Sequence, residues 1–182
     1  MAMYYDEFEV KGRKVVLRSP GPEDAQSMID LVNALDTETV YLAREPGEFE
    51  MTLEKEQEFL SAQKTSDSSL FLVCLVDGTI AGSCQASCPA RRRFRHKATV
   101  GIALLQSVCG LGIGRKMMNA LIAWARERGL SHLELEVDTG NLPALKLYMS
   151  LGFLVGGTNY HARRLADGTY RDDYYMYLPL DQ

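Results

Sequence analysis

The apolar residues of this chain fall into short runs and spaced stripes that predict alternating strands and helices. Lys14 to Arg18 (KVVLR) reads as a first strand. Pro22 opens a helical stretch in which Ala25, Met28, Ile29, Val32 and Leu35 share one face. Asp36 to Glu50 is polar and contains Pro46-Gly47, the mark of a loop. Thr52 is placed to cap a second helix, with Glu54 and Glu56 against its positive end. Leu70 to Val76 is a short apolar strand, Asp77-Gly78 signals a hairpin, and Thr79 to Ser87 returns as its partner.

The second half continues in the same way. Ala98 to Leu105 reads as a strand. Gly112 to Arg128 is the clearest helix, with Met117, Leu121 and Ala125 at four-residue spacing, Met118 and Ile122 beside them, and Gly129 to end it. His132 to Val137 alternates as a strand, and Asn141 to Leu151 is a short helix stopped by Gly152. Another strand begins at Phe153 to Gly156, and Asp167-Gly168 turns a second hairpin closed by Tyr174 to Leu178. The predicted order is strand, two helices, three strands, helix, strand, helix, two strands: a mixed α/β chain. No repeat, low-complexity tract or linker interrupts it, so residues 1–182 are read as one domain.

Composition narrows the classes. Hydrophobic residues make up 46% and charged residues 24%, the balance of a soluble globular protein. No apolar run approaches the roughly 20 residues needed to span a bilayer, and the acidic start (MAMYYDE) lacks the order of a signal peptide. A cytoplasmic protein with no membrane partner is expected. The formal net charge of -4 argues against a general nucleic-acid binder and mildly favours cationic substrates. Cys74, Cys84, Cys88 and Cys109 form no CxxC pair and the histidines lie far apart, so no metal is expected and the thiols are read as reduced.

One segment carries candidate chemistry. Gly110, Gly112 and Gly114 alternate between a strand and a helix in Gly110-Leu111-Gly112-Ile113-Gly114-Arg115. Glycine permits positive φ and close approach of backbone to a ligand. Free N–H groups and the dipole at a helix start make an anion site suited to phosphate, and Arg115 can add a charge-assisted contact. Tight turns use glycine as well, so the loop alone indicates phosphate at most. It lacks the Gly-Lys-Ser/Thr ending of a nucleotide-triphosphate loop. Nor does it open a first strand-helix-strand unit of the dinucleotide-binding kind, although Glu134 and Glu136 lie near the distance of a ribose-binding acid.

A second segment decides between these readings. Asn141-Leu-Pro-Ala144-Leu-Lys-Leu-Tyr148-Met-Ser-Leu-Gly152-Phe153 follows the loop. Together the two segments resemble the GNAT superfamily of acetyl-CoA-dependent N-acetyltransferases, which typically show Gln/Arg-x-x-Gly-x-Gly/Ala and then Asn-x-x-Ala-x-x-Leu-Tyr-x-x-x-Gly-Phe. The match spans Ala98 to Phe153 and is similar to the ribosomal-protein and small-amine branch. It implies a mixed, mostly antiparallel sheet of about 6–7 strands with about 4 helices and a splayed strand pair at the cofactor site. Acetyl-CoA would be the co-substrate and no metal would be needed.

The resemblance also implies roles. Ile102, Ala103 and Leu104 would offer free backbone groups to the acetyl carbonyl and pantetheine arm, as a sheet edge receives a peptide. Gly110, Leu111, Gly112, Ile113, Gly114 and Arg115 would hold the pyrophosphate, and Asn141 the pantetheine arm, beside its plain role as a helix cap. Tyr148 would protonate the leaving thiolate, since a phenol with a pKa near 10 is loaded at neutral pH; its bland reading is a packed ring. Glu136 is the candidate base, from the matching place in ribosomal-protein N-acetyltransferases. It shares a face with Glu134 by alternation, and both can also simply meet solvent. His96 and His132 are weaker candidates.

Two departures keep a second class open. Cys109 stands where the motif has Gln or Arg, and Ala98 to Leu105 lacks the water-binding glutamate of many relatives. A non-catalytic acyl-CoA-binding sensor with the same fold fits those departures. For the enzyme, the partner is an amine on a protein N-terminus, a lysine or a small molecule, and the assembly is a monomer or homodimer. Asp36, Glu38, Glu45, Glu48 and Glu50 can attract a cationic amine or serve an ordinary loop, and Tyr160, Tyr170, Tyr174 and Tyr175 can line the cleft or support strands. Arg91 to Lys97 is read as a solvated connection rather than an RNA, ribosome or CoA 3′-phosphate contact.

Overall fold

The computed structural model describes residues 4–180. Its elements in chain order are β1 (Tyr5–Val10), β2 (Arg13–Arg18), α1 (Ala25–Glu38), α2 (Leu53–Thr65), β3 (Ser69–Val76), β4 (Thr79–Ser87), β5 (Lys97–Leu104), α3 (Ile113–Glu127), β6 (His132–Asp138), α4 (Leu142–Ser150), β7 (Leu154–Arg164) and β8 (Tyr170–Pro179). The eight strands form one sheet in the order β1-β2-β3-β4-β5-β6-β8-β7. Every neighbouring pair is antiparallel except β5–β6.

The elements follow the predicted order with two corrections. A strand, β1, precedes the one read as first; it pairs with β2 from Tyr5↔Arg18 to Val10↔Arg13. It escapes a reading of apolar pattern because Asp6, Glu7 and Glu9 break its run, as suits an edge strand. The helix before the polar loop also runs further than its apolar stripe, to Glu38, so Asp36 and Glu38 are helical residues. Its buried face is Ala25, Met28, Leu31 and Leu35, while Ile29 and Val32 are half-buried.

Alternation along β3 sorts the core into two layers. Leu72 and Cys74 join Met117, Met118, Leu121 and Ala125 of α3 in one cluster. Val73 points the other way and joins Met28, Leu31 and Leu35 of α1 and Leu60 of α2. Thr52 caps α2 by accepting from the Lys55 N–H at 3.3 Å, a bond worth about 1 kcal/mol. Asp77 and Gly78 take φ of 51° and 85°, the paired positive values of a tight two-residue hairpin. Among the described residues, no helix is long and apolar enough to cross a membrane, and no group of three or more His, Cys, Asp or Glu could hold a metal ion. All four cysteines are free.

Candidate active site

The parallel pair β5–β6 registers at only three positions: Lys97↔His132, Ala98↔Leu133 and Thr99↔Glu134. Beyond Thr99, β5 stays paired to β4 as far as Gly82↔Leu104, while β6 stays paired to β8 as far as Asp138↔Asp173. The strands part, and one backbone edge of Val100 to Leu104 has no strand partner among the described residues. Gly82 sets this geometry from behind: a Cβ there would collide with the Leu104 side chain and lie 2.7 Å from the Ala103 carbonyl oxygen. A cleft of about 1150 Å³ fills the gap, and Ile102, Ala103 and Leu104 line it.

The glycine loop closes one end of the cleft. Gly110 and Gly112 take φ of 73° and 82°, values a side chain rarely adopts. Gly112 is the N-cap of α3 and supplies no side-chain cap, so the first N–H groups of the helix keep their capacity for a ligand. Gly110, Gly112, Gly114 and Arg115 line the cleft. Leu111 and Ile113 turn their side chains to the core instead, Ile113 being fully buried, so only their backbone is on offer. Arg115 donates to Ser150 Oγ at 2.6 Å and so bridges α3 to α4. Cys109 directs its Sγ at the Leu105 carbonyl oxygen at 3.4 Å. Burial first, and the Glu38 charge second, push its thiol above the usual value, so it remains protonated at neutral pH.

The second motif forms the facing wall. Asn141 caps α4, its Oδ1 accepting from the Ala144 N–H at 3.3 Å. The residue also lines the cleft, so the capping role and the cleft-facing role coexist. Tyr148 lies about two turns further along and is only 7% exposed, with its ring 5.7 Å from that of Phe153. Burial pushes its hydroxyl up to about 12, so the phenol stays protonated throughout the neutral range.

The two glutamates of β6 have different surroundings. Glu134 lies where β5 and β6 still pair; it accepts from Lys97 Nζ at 2.6 Å, from the Tyr175 hydroxyl at 3.0 Å and from Thr99 Oγ1 at 3.3 Å. Burial resists its ionisation, but the Lys97 and Tyr175 bonds outweigh it and hold the carboxyl below the usual range. Glu136 lies where the strands have parted; it is exposed, lines the cleft and has no partner among the described residues. His96 and His132 face each other, rings 5.8 Å apart, at the far ends of β5 and β6, and neither lines the cleft.

The remaining wall has no sequence motif. Tyr41, Leu42 and Ala43 of the α1–α2 connection line the cleft together with Arg163 and Asp173 of the β7–β8 hairpin. Of the five acids expected to attract an amine, only Glu38 reaches the cleft, and it is engaged: its Oε2 accepts from the Gln106 N–H at 2.7 Å. Asp36 is buried and accepts both arms of Arg44, at 2.9 and 3.0 Å. Tyr160, Tyr170, Tyr174 and Tyr175 do not line the cleft. Arg91 to His96 is an exposed connection between β4 and β5, at the end of β5 away from the glycine loop.

The chain that builds this cleft is similar to known proteins. The acetyltransferase (GNAT) family profile covers residues 31–153. The chain belongs to the GNAT acetyltransferase family. Within that family, streptothricin acetyltransferase of Streptomyces lavendulae is 37% identical over 93 residues, covering 50% of this chain and 48% of the relative. An L-amino acid N-acetyltransferase of Escherichia coli (strain K12) is 32% identical over 109 residues, covering 58% of this chain and 65% of the relative. The matches thus span less than two thirds of these relatives' own lengths. The crystal structure of a GNAT-family acetyltransferase from Streptococcus pneumoniae superposes with a TM-score of 0.86 at 27% identity, over 91% of this chain and 99% of that one. The family and the mostly antiparallel sheet expected from the two motifs are therefore established.

Proposed function

We propose that this protein transfers the acetyl group of acetyl-CoA to a primary amine on a small molecule, by direct attack of the amine on the thioester. The observation that carries this reading is the buried Tyr148 hydroxyl on the wall of a cleft that also presents the free backbone edge of Ile102 to Leu104. In this reading, the backbone edge receives the acetyl carbonyl and pantetheine arm, and the helix start at Gly112 with Gly110, Gly114 and Arg115 receives the pyrophosphate. Asn141 steadies the arm. Tyr148 gives its proton to the departing thiolate, and the amine nitrogen forms its bond to the acetyl carbon as the carbon–sulfur bond breaks. No acyl-enzyme is required, because the thioester is already activated. Backbone N–H groups near the carbonyl oxygen and the positioning of both reactants supply much of the rate.

The attacking amine must first lose a proton. At pH 7 this costs roughly 4.6 kcal/mol for a lysine-type amine of pKa about 10.4, but only about 1 kcal/mol for an α-amine near 7.8. Glu136, exposed and unpartnered on the cleft wall, is the base in this scheme, directly or through water. A small-molecule acceptor is favoured by the two relatives, which are named for streptothricin and for L-amino acids.

The test is thiol release from acetyl-CoA against spermidine, L-phenylalanine, Nα-acetyl-lysine and an alanine-terminated peptide, with CoA titrated in parallel by calorimetry. Amine-dependent thiol release together with a CoA binding isotherm is expected. Heat from CoA with no release for any amine would favour the acyl-CoA sensor, and no heat at all would remove the cofactor assignment.

A further inference from the structure

The α1–α2 connection has no helix or strand from Thr39 to Thr52, yet four of its residues, Thr39, Tyr41, Leu42 and Ala43, form cleft wall. Arg163 fastens it. This residue ends a stretch, Asn159 to Arg163, where the β7–β8 ladder loses register and His161 takes a φ of 52°. Its Nη1 donates to the Val40 carbonyl oxygen at 3.3 Å and to that of Leu42 at 3.1 Å. Its Nη2 donates to Asp138 Oδ2 and to Asp173 Oδ1, both at 2.7 Å. Four of the five guanidinium donors are used, and the fifth, on Nε, is buried without a partner among the described residues.

The carboxylates that hold Arg163 are themselves held. Asp138 accepts the fork of Arg171 at 2.8 Å on each arm, and its Oδ1 accepts from the Gly140 N–H at 2.7 Å. The Arg171 guanidinium lies 5.6 Å from the Tyr41 ring centroid, and the Tyr41 hydroxyl donates to the Gly140 carbonyl oxygen at 3.2 Å. Two arginines and two aspartates thus tie residues 40–42 to β6, which carries Glu136, and to its neighbour β8. A buried donor left unpaired costs about 1–3 kcal/mol. Retaining that cost in a hub so well connected is hard to explain by packing alone.

We propose that Arg163 is the positioning residue of the acceptor site: by fixing the Val40 and Leu42 carbonyls, it holds residues 41–43 as a wall that decides which amines reach the thioester. This rests on the amine-acetylation reading above. Among the described residues, Arg163 shares no hydrogen bond with Ile102 to Leu104, the glycine loop or Asn141, so its direct effect falls on the acceptor rather than the cofactor. A lysine keeps the charge but has one ammonium in place of a planar fork, and cannot span two carbonyls and two carboxylates.

The test compares wild type with Arg163→Lys and Arg163→Ala. It uses spermidine, L-phenylalanine and an alanine-terminated peptide as acceptors, calorimetric CoA titration, and hydrogen exchange of residues 39–46 in the CoA-bound protein. Expected for Arg163→Lys are a KM for the best acceptor raised about tenfold, kcat within about threefold, a narrowed preference among the three amines, and faster exchange at 39–46. CoA affinity stays within about twofold. Unchanged acceptor KM, or a loss shared equally by kcat and CoA affinity, overturns the proposal. If the wild type acetylates none of the amines, the functional reading fails separately. Exchange then still decides the clamp: faster exchange at 39–46 with CoA affinity intact supports it, and unchanged exchange overturns it. Should Arg163→Ala fail to fold, the lysine variant decides by the same measurements.

Discussion

The two halves of the cleft are built on different principles. On the proposed reading, the pyrophosphate and pantetheine side of the donor half is local. The glycine loop and α4 each come from one continuous segment, and their chemistry lies in backbone N–H groups, a cap and a buried phenol. The acceptor half is assembled from afar. Arg163 reaches partners 121 and 123 positions away in sequence, and the α1–α2 connection it holds has no regular structure of its own. A site made of backbone geometry can be recognised by its glycines. A site made of a long-range charge hub can be altered one side chain at a time without disturbing the other half.

The largest expected effect strikes the chemistry that the halves share. Tyr148→Phe should lower kcat at least tenfold for every amine, with CoA affinity unchanged by calorimetry. Because burial lifts the Tyr148 hydroxyl to about 12, the wild-type rate should show no alkaline fall from this group between about pH 8 and 10, and unaltered turnover in the variant would remove Tyr148 as the acid. Next, Glu136→Gln should slow lysine-type acceptors about tenfold and α-amines about threefold or less, following their proton costs. Equal loss, or none, would take the base away from Glu136.

A donor-side counterpart is somewhat weaker. Gly112→Ala forces a side chain into φ near 82°, at about 1–2 kcal/mol. It should weaken CoA binding by up to about tenfold while leaving acceptor KM alone; a change confined to acceptor KM would contradict the division into halves. The smallest effect is on stability in acid. Burial alone would raise the Asp138 carboxyl, but the bonds from Arg171 and the Gly140 N–H, with the charges of Arg171 and Arg163, hold it below its usual range. Its contribution is therefore complete above the unfolded value of about 3.9 and is lost as pH falls through the lower folded value. Residues 39–46 should lose exchange protection in that window before α3 does, and Asp138→Asn should flatten the dependence.

How much of this was readable in the sequence follows the same division. Asn141 to Phe153 and the glycine loop are contiguous, so spacing exposes them, and the strands and helices around them follow apolar period. Glu136 and Glu134 look alike in sequence. Only the point at which β5 and β6 part gives one a lysine, a tyrosine and a threonine and leaves the other unpartnered among the described residues. The acids of residues 36–50 suggest attraction for an amine, yet Asp36 and Glu38 turn out to brace Arg44 and Gln106. β1 is hidden because three acids protect an edge strand at the expense of its pattern. Nothing local marks Arg163, Asp138 or Asp173, since their meaning arises only when β6, β7 and β8 meet the α1–α2 connection.

The open edge of β5 bears on how this protein can change over time. Its contribution is made by peptide groups, which every residue except proline possesses in full, so ordinary substitution cannot delete it. A departure from the motif such as Cys109 therefore leaves the backbone edge proposed to receive the donor in place. On the proposed reading, novelty is left to the few side chains that fasten the opposite wall, and a change of acceptor needs only the loop and its arginine to be rewritten.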